Sequence, residues 1–303
     1  LGKGGGETDK QLFRFTDQGG RDVAMRFDLT VPFARYVAAH QHELYMPFKR
    51  YHIGKVFRGE KPQRGRYREF VQCDFDIVGA DSASSDFEIL LMLIQNFKAL
   101  GVAEVAVHVS HRGLLNRFLD RLGLGDSSAD VLRTIDKMRK IGRDKTREEL
   151  AGLSTPETAD TILSYISAEG SYLDVLSQLE ELAGGPDEHS ERMRHIHAMA
   201  EQAGVLESIV FDPTITRGLD YYTGMVFETF LMALPSIGSV ASGGRYNDLA
   251  SLYSKSEFPG VGGAIGLDRL LAALEELKLD ASGGGGVDVL ILMLQAEHAG
   301  SYH

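Results

Sequence analysis

The densest chemistry in this chain lies between residues 58 and 76. Side chains alternate faces along a strand, so a strand over Tyr67 to Val78 puts Val71, Cys73, Phe75 and Ile77 on one face and Phe70, Gln72, Asp74 and Asp76 on the other. An amide and two carboxylates on a strand this apolar need partners, because burying unpaired charge is costly. Solvent on an outer sheet face satisfies them, and so does a cationic, hydrogen-bonding ligand. The preceding strand ends in Arg58-Gly59-Glu60, and the loop between the two adds Lys61, Arg64, Arg66 and Arg68. Guanidinium groups present planar forks of donors that match phosphate oxygens.

Two further clusters carry the same mixture. Arg217-Gly218-Leu219-Asp220-Tyr221-Tyr222-Thr223-Gly224 has glycines that suggest bends placing Arg217 and the tyrosines in a crevice, although paired tyrosines often serve packing alone. Ser242-Gly243-Gly244-Arg245-Tyr246 is followed by a glycine run from Gly260 to Gly266, which lets backbone or ligand approach closely. Arg269 then falls in the first turn of a helix, near the positive end of its dipole, which suits a phosphate. Arginines for phosphates beside carboxylates for an ammonium group are what an aminoacyl adenylate asks for. The glycine run lacks the spacing of a dinucleotide fingerprint, and Gly54-Lys55-Val56 is no P-loop. His40 and His42, or His189, His195 and His197, come without cysteine or an HExxH pattern, so they read as polar surface histidines rather than metal ligands.

These residues need scaffolding, and the periodicity supplies it. Val23 to Thr30 reads as a strand, with Thr30 as N-cap of a helix opened by Val31-Pro32. Tyr51 to Arg58 and Tyr67 to Val78 read as paired strands. Phe87 to Leu100 is helical, stopped by Gly101, and Val102 to Val109 is strand-like. From 112 to 207 helix-period segments follow one another, predicting an inserted all-helical domain between two parts of a catalytic domain, 1–111 and 208–280. Strand character returns at Ser208 to Phe211, Met225 to Leu231 and Gly238 to Ala241. A helix from Leu267 is expected to bury Leu270, Leu271, Leu274 and Leu277. Gly283 to Gly286 reads as a linker, and Val287 to Leu294 as the first strand of an incomplete further domain within 281–303.

Composition bounds the class. The chain has 303 residues, 43% hydrophobic and 25% charged, with one cysteine. That balance suits a globular protein, no apolar run reaches the length of a membrane span, and the reading is a cytoplasmic protein without membrane partners. The chain starts at Leu1, without the apolar region of a signal peptide, and upstream residues are expected. A net charge of −11 argues against a dedicated nucleic-acid binder but leaves local contacts open. One basic stretch, Arg133 to Arg147, holds Lys137, Arg139 and Lys140; it reads either as a solvated helix face or as an RNA contact.

Taken together the clusters resemble the class II aminoacyl-tRNA synthetases, and within them the histidyl-tRNA synthetase family. Phe57-Arg58-Gly59-Glu60 through Phe70 looks like the class's second motif, and Gly262 to Arg269 like its third. Arg217 to Tyr222 and Gln72-Cys73-Asp74-Phe75-Asp76 look like histidine-specific signatures, joined by Phe27 to Tyr36. Asp28 stands where many bacterial members have Glu, which is similar to the eukaryotic-like branch. The resemblance implies an α+β fold, an antiparallel sheet flanked by helices. It also implies ATP as substrate with Mg²⁺ accompanying it and no protein-only metal site, transfer of histidine to tRNA(His), and a homodimer. By resemblance Arg58 holds the α-phosphate, Arg66 and Arg269 the outer phosphates, and Glu60 and Phe70 the adenine. Asp28, Thr30 and Gln72 would receive the α-amino group, and Asp76 and Tyr222 would read the imidazole. Tyr221 and Tyr246 would line the pocket. Arg217, with Arg58, would stabilise charge during attack on the α-phosphate. The acceptor arm would approach Lys137, Arg139 and Lys140. The alternative implied is a synthetase-like regulatory subunit of ATP phosphoribosyltransferase.

Overall fold

The computed structural model describes residues 10–102, 104–216 and 221–279. The expected linker and strand within 281–303 lie outside the described residues. A hairpin of β1 (Arg14–Thr16) and β2 (Asp22–Ala24) precedes helix α1 (Thr30–His40). The strand expected over Val23 to Thr30 is therefore far shorter. Thr30 is the first helical residue rather than the cap, and it is Asp28 whose Oδ1 accepts the Val31 amide at 3.0 Å.

Strands β3 (Phe48–Phe57) and β4 (Glu69–Val78) form the hairpin read from the sequence, extended three residues earlier at its start. Helix α2 (Ala83–Ala99) follows, capped by Ser82, whose hydroxyl accepts the Ser85 amide at 3.2 Å. Then come β5 (Val105–His111) and six helices: α3 (Arg112–Arg121), α4 (Ser128–Ile141), α5 (Arg143–Leu153), α6 (Pro156–Ile166), α7 (Tyr172–Ala183) and α8 (Glu188–Gln202). Capping boxes at Ser171/Asp174 and Asp187/Ser190 start the last two. The chain returns through β6 (Ile209–Phe211), β7 (Met225–Leu231), β8 (Ala241–Arg245), β9 (Gly260–Gly266) and α9 (Leu267–Leu277).

Seven strands make one sheet in the order β3-β4-β9-β8-β7-β5-β6, antiparallel throughout except for the parallel β5–β6 pair. This is the expected α+β architecture. The strand expected at Gly238 to Ala241 begins only at Ala241, and the glycine run from Gly260 is itself a central strand rather than a loop. Leu270 is buried as expected, whereas Leu271 is half exposed. Leu114, Leu119, Leu176 and Ile196 of the helical segment share one buried cluster with Val107, Phe211 and Phe227 of the sheet. The sheet and the helices after it are thus seated against each other.

Candidate active site

The two faces of β4 are both covered, which removes the outer-sheet alternative for its polar residues. Phe75 and Ile77 pack into the main core. On the opposite face Asp74 and Asp76 are 2% and 3% exposed, and Gln72 is buried with them. Phe33, Val37, Tyr246 and Leu249 form a second apolar cluster there, with Tyr221 and Tyr222 packed against it. Three polar side chains are thus enclosed, and their partners decide what the pocket can hold.

Asp76 is already engaged. The Tyr246 hydroxyl donates to its Oδ1 at 2.5 Å, and Arg50 Nη2 lies 2.8 Å from its Oδ2. Arg50 stands directly opposite Asp76 in the β3–β4 register, over the Phe33 ring at 4.1 Å, and also donates to the Leu29 carbonyl at 3.2 Å. Asp74 has no such company: its Oδ1, like Oε1 of Gln72, is a buried atom without a hydrogen-bond partner in the structure. Burial, reinforced by the neighbouring Asp76, pushes the Asp74 carboxyl up to about 8, with Arg50 and Arg58 opposing. Asp76 rises to about 6 through burial, with Arg50 and Tyr246 opposing. Burial also raises Asp28, although the Val31 amide and the charge of Arg58 act against it. The Tyr221 hydroxyl lies between Thr30 and Asp28. Tyr221 packs edge-on against both Tyr222 (5.0 Å between ring centroids) and Tyr246 (6.2 Å).

Glycine makes this pocket possible. A Cβ on Gly262 would fall 2.1 Å from Asp76 Oδ1, and one on Gly260 would fall 2.4 Å from the Tyr246 ring. Only bare backbone in β9 leaves room for the Asp76–Tyr246 pair beside it.

Adjoining the pocket, across Gln72, lies a cleft of 390 Å³. Arg58, Glu60, Arg66, Phe70 and Arg269 all line it, so the residues expected to hold ATP converge. Arg58 is fixed by donation to the Phe27 carbonyl at 3.2 Å and by the rings of Phe27 and Phe70, 4.4 and 5.2 Å away. Arg66 reaches Glu60 at 3.4 Å, a long contact that leaves donors for a ligand. Arg269 donates to the Ser239 carbonyl and, at 3.4 Å, to that of Gly65; burial and the neighbouring Arg66 lower it to about 10. Asp268, in the same first turn, accepts the Val71 amide at 2.7 Å and ties α9 to β4. Ile135, Asp136 and Met138 of α4 also line the cleft, bringing the helical segment to its edge.

Arg217 lies outside the described residues, and so do the side chains of Arg139 and Lys140. Lys137 is exposed, 4.0 Å from Glu149. Elsewhere in this basic stretch, Arg133 pairs with Asp130 and Arg147 with Asp160. Two pocket residues escape assignment from the sequence: Asp74, placed on the polar face but given no role, and Arg50, which falls just before the strand expected from Tyr51 onward.

Strand order, the arginine-bearing hairpin and the glycine strand leading into α9 place the chain among the class II aminoacyl-tRNA synthetases. Within that class the chain belongs to the histidyl-tRNA synthetase family, whose model matches residues 1–270. A histidine–tRNA ligase of Treponema denticola is 59% identical over 300 residues, covering 97% of this chain and 67% of that protein. The crystal structure of histidyl-tRNA synthetase from Nostoc sp. superposes with a TM-score of 0.78 at 29% identity, over 96% of this chain and 69% of that one. A Bacillus halodurans structure described as an ATP phosphoribosyltransferase regulatory subunit/histidyl-tRNA synthetase gives 0.75 at 26%, over 88% and 68%. The chain spans about two thirds of the length of the curated relatives it matches.

Proposed function

We propose that the chain forms the catalytic region of an enzyme that activates histidine with ATP and transfers it to tRNA(His). One observation carries the reading: a cleft walled by Arg58, Arg66 and Arg269 adjoins, through Gln72, a buried polar set in which Gln72 and Asp74 keep unpartnered oxygens. Phosphates suit the first and an ammonium group the second. Appearance of histidine-dependent exchange of pyrophosphate into ATP tests it.

In the proposed reaction Arg58 holds the α-phosphate, and Arg66 and Arg269 receive the β- and γ-phosphates. Adenine packs on Phe70 with Glu60 at its edge. Asp28, Thr30 and Gln72 take the α-amino group, while Asp76, Tyr222 and Tyr246 define the imidazole end, with Tyr221 bracing Tyr222. Arg217 bridges the histidine carboxylate and the α-phosphate as the acyl–phosphate bond forms and pyrophosphate leaves. Mg²⁺ would enter with the ATP phosphates, as the family resemblance implies. It would supply positive charge against the departing pyrophosphate; Glu60, Asp136, Glu228 and Asp268 are carboxylates lining the cleft.

Residues 112–207 act as an inserted helical domain, and the tRNA acceptor arm approaches α4 along Lys137, Arg139 and Lys140. Strand β3 is an edge of the sheet, and Tyr51 and Ile53 on it are largely exposed. A second copy of the chain covering that edge makes the homodimer. No helix among the described residues is long and apolar enough to cross a membrane, and tRNA charging sets the enzyme in the cytoplasm. The regulatory-subunit alternative is disfavoured by the arginines, since a binding module gains nothing from phosphate donors fixed in advance.

A pH dependence follows from Asp74. Its folded-state carboxyl titrates at about 8, against 3.8 for an ordinary aspartate, so between those values the folded protein keeps a proton that the unfolded chain has lost. Stability then falls as pH rises through that window, the reverse of a salt-bridged carboxylate. The ligand-free protein is expected to melt at progressively lower temperature from about pH 5 to about pH 8, and to level off above that. Asp74→Asn should flatten the slope and raise the melting temperature at the alkaline end. Parallel curves for parent and variant would assign the titration elsewhere.

A further inference from the structure

Between the helical segment and the amino-acid pocket lies a buried set of charges that the proposed chemistry leaves unused. Arg245, at the end of β8, is 2% exposed. Its guanidinium donates to Asp86 Oδ1 at 2.8 Å, Ser85 Oγ at 2.9 Å, Asn247 Oδ1 at 3.0 Å and the Ala80 carbonyl at 3.2 Å. Asp86, in the first turn of α2, is fully buried and accepts on its other oxygen from Arg192 of α8 at 2.6 Å. Arg192 also reaches Asp81 at 2.8 Å, which in turn accepts from Asn247 at 3.2 Å. Two guanidiniums from distant parts of the chain thus share one buried carboxylate. Desolvation makes such a triad a poor source of net stability, so its value lies in fixing geometry.

The geometry concerned is that of the pocket. The residue after Arg245 is Tyr246, whose hydroxyl holds Asp76. The Arg245 carbonyl accepts the Thr223 amide at 2.8 Å, and the Thr223 hydroxyl accepts the Asn247 amide at 3.1 Å. Residues 245–247 are therefore clipped to the segment that follows Tyr221 and Tyr222. Gly224 rests directly on the arginine: a Cβ there would come within 3.1 Å of Arg245 Cβ and Cδ. By contrast Arg58, Arg66 and Arg269 are anchored on Phe27, Glu60, Gly65 and Ser239, outside this network.

We infer that Arg245, locked by Asp86, is a positioning residue for amino-acid recognition, and that Arg192 extends the lock into the helical segment. The seating of α8 on α2 thereby sets the reach of Tyr246 to Asp76 and the pose of the tyrosine pair. This rests on the histidine-activation reading above, and its test separates the two.

Arg192→Gln and Arg245→Lys are made in the full-length protein, and KM for histidine, KM for ATP, kcat and melting temperature are measured. Arg192→Gln is expected to raise the histidine KM on the order of tenfold. The ATP KM should stay within about twofold, because the ATP arginines have other anchors, while the melting temperature should fall, because buried Asp86 loses one of its two guanidinium partners. Arg245→Lys, which keeps the charge and loses the fork, should raise the histidine KM further. A histidine KM in Arg192→Gln equal to the parent's overturns the inference. So does a parallel rise of both KM values, the mark of general loosening rather than of a specific effect on amino-acid recognition. If Arg245→Lys fails to fold, Arg192→Gln, at a partly exposed position, decides alone. A folded parent that shows no histidine-dependent exchange overturns the proposed function itself; a parent that exchanges, with variants that match it, overturns only this inference.

Discussion

Arg58→Ala is expected to slow adenylate formation by about 10²–10³, the usual cost of removing one preorganised donor from a developing negative charge. The guanidinium is set in place before any ligand arrives, by the Phe27 carbonyl and by the rings of Phe27 and Phe70. Such a group needs little reorganisation as charge grows on the α-phosphate, so it acts in the transition state as well as the ground state. ATP affinity should fall too, because Arg58 lines the cleft alongside Arg66 and Arg269. Arg217→Ala makes the informative contrast. Its proposed place between two anions matters only as they join, so it should lose a similar factor in rate with a smaller loss in ATP affinity. The competing role for Arg217 is a structural pairing with Asp220 or a nearby carboxylate. Single-turnover adenylate formation, on variants with intact melting curves, separates the two. A rate within a few-fold of the parent would make Arg217 structural.

Gly262→Ala is expected to weaken histidine recognition severely while leaving ATP binding nearly intact. The added methyl would meet Asp76 Oδ1 at 2.1 Å and the Phe75 carbonyl at 2.8 Å. The Asp76 side chain must swing, leaving Tyr246 and Arg50, and the strand must yield slightly at the Phe75 carbonyl. Losing the buried Arg50 charge pair together with the Tyr246 hydrogen bond typically costs several kcal/mol, which translates to a rise on the order of 10²-fold or more in histidine KM. Equilibrium binding of histidine and of an ATP analogue, each by calorimetry, checks the asymmetry. Equal losses for both ligands would mean that the strand has shifted as a whole.

Much of this is legible in the sequence because strand alternation is a two-valued rule. Once Tyr67 to Val78 is a strand, Gln72, Asp74 and Asp76 must share a face, and the structure puts them there. Arg58, Arg66 and Arg269 suggest phosphate contacts by type and by their places on a hairpin and a helix start, whereas the adenine role of Glu60 and Phe70 comes only from the family resemblance; all five line one cleft. Arg50 is not. Its charge has meaning only opposite Asp76, and that pairing depends on a strand register which a strand begun at Tyr51 cannot contain. The start of α1 differs from expectation for a related reason. Thr30 is a good cap by type, but Asp28 reaches the free Val31 amide first. Leu271 follows helical spacing yet faces outward, because α9 meets the sheet along a narrower stripe than the pattern implies. The network joining Arg192, Asp86 and Arg245 is invisible for a third reason. Its members are 53 or more residues apart on three elements, and no local periodicity brings them together.

Histidine activation is tested most directly by amino-acid-dependent exchange of labelled pyrophosphate into ATP, run on the folded protein with each of the twenty amino acids. The expected result is exchange with histidine and preference over every other amino acid by roughly 10⁴-fold, as a pocket of buried hydrogen-bonding groups imposes. Exchange driven by threonine or proline, or silence with histidine in folded and dimeric protein, would contradict it.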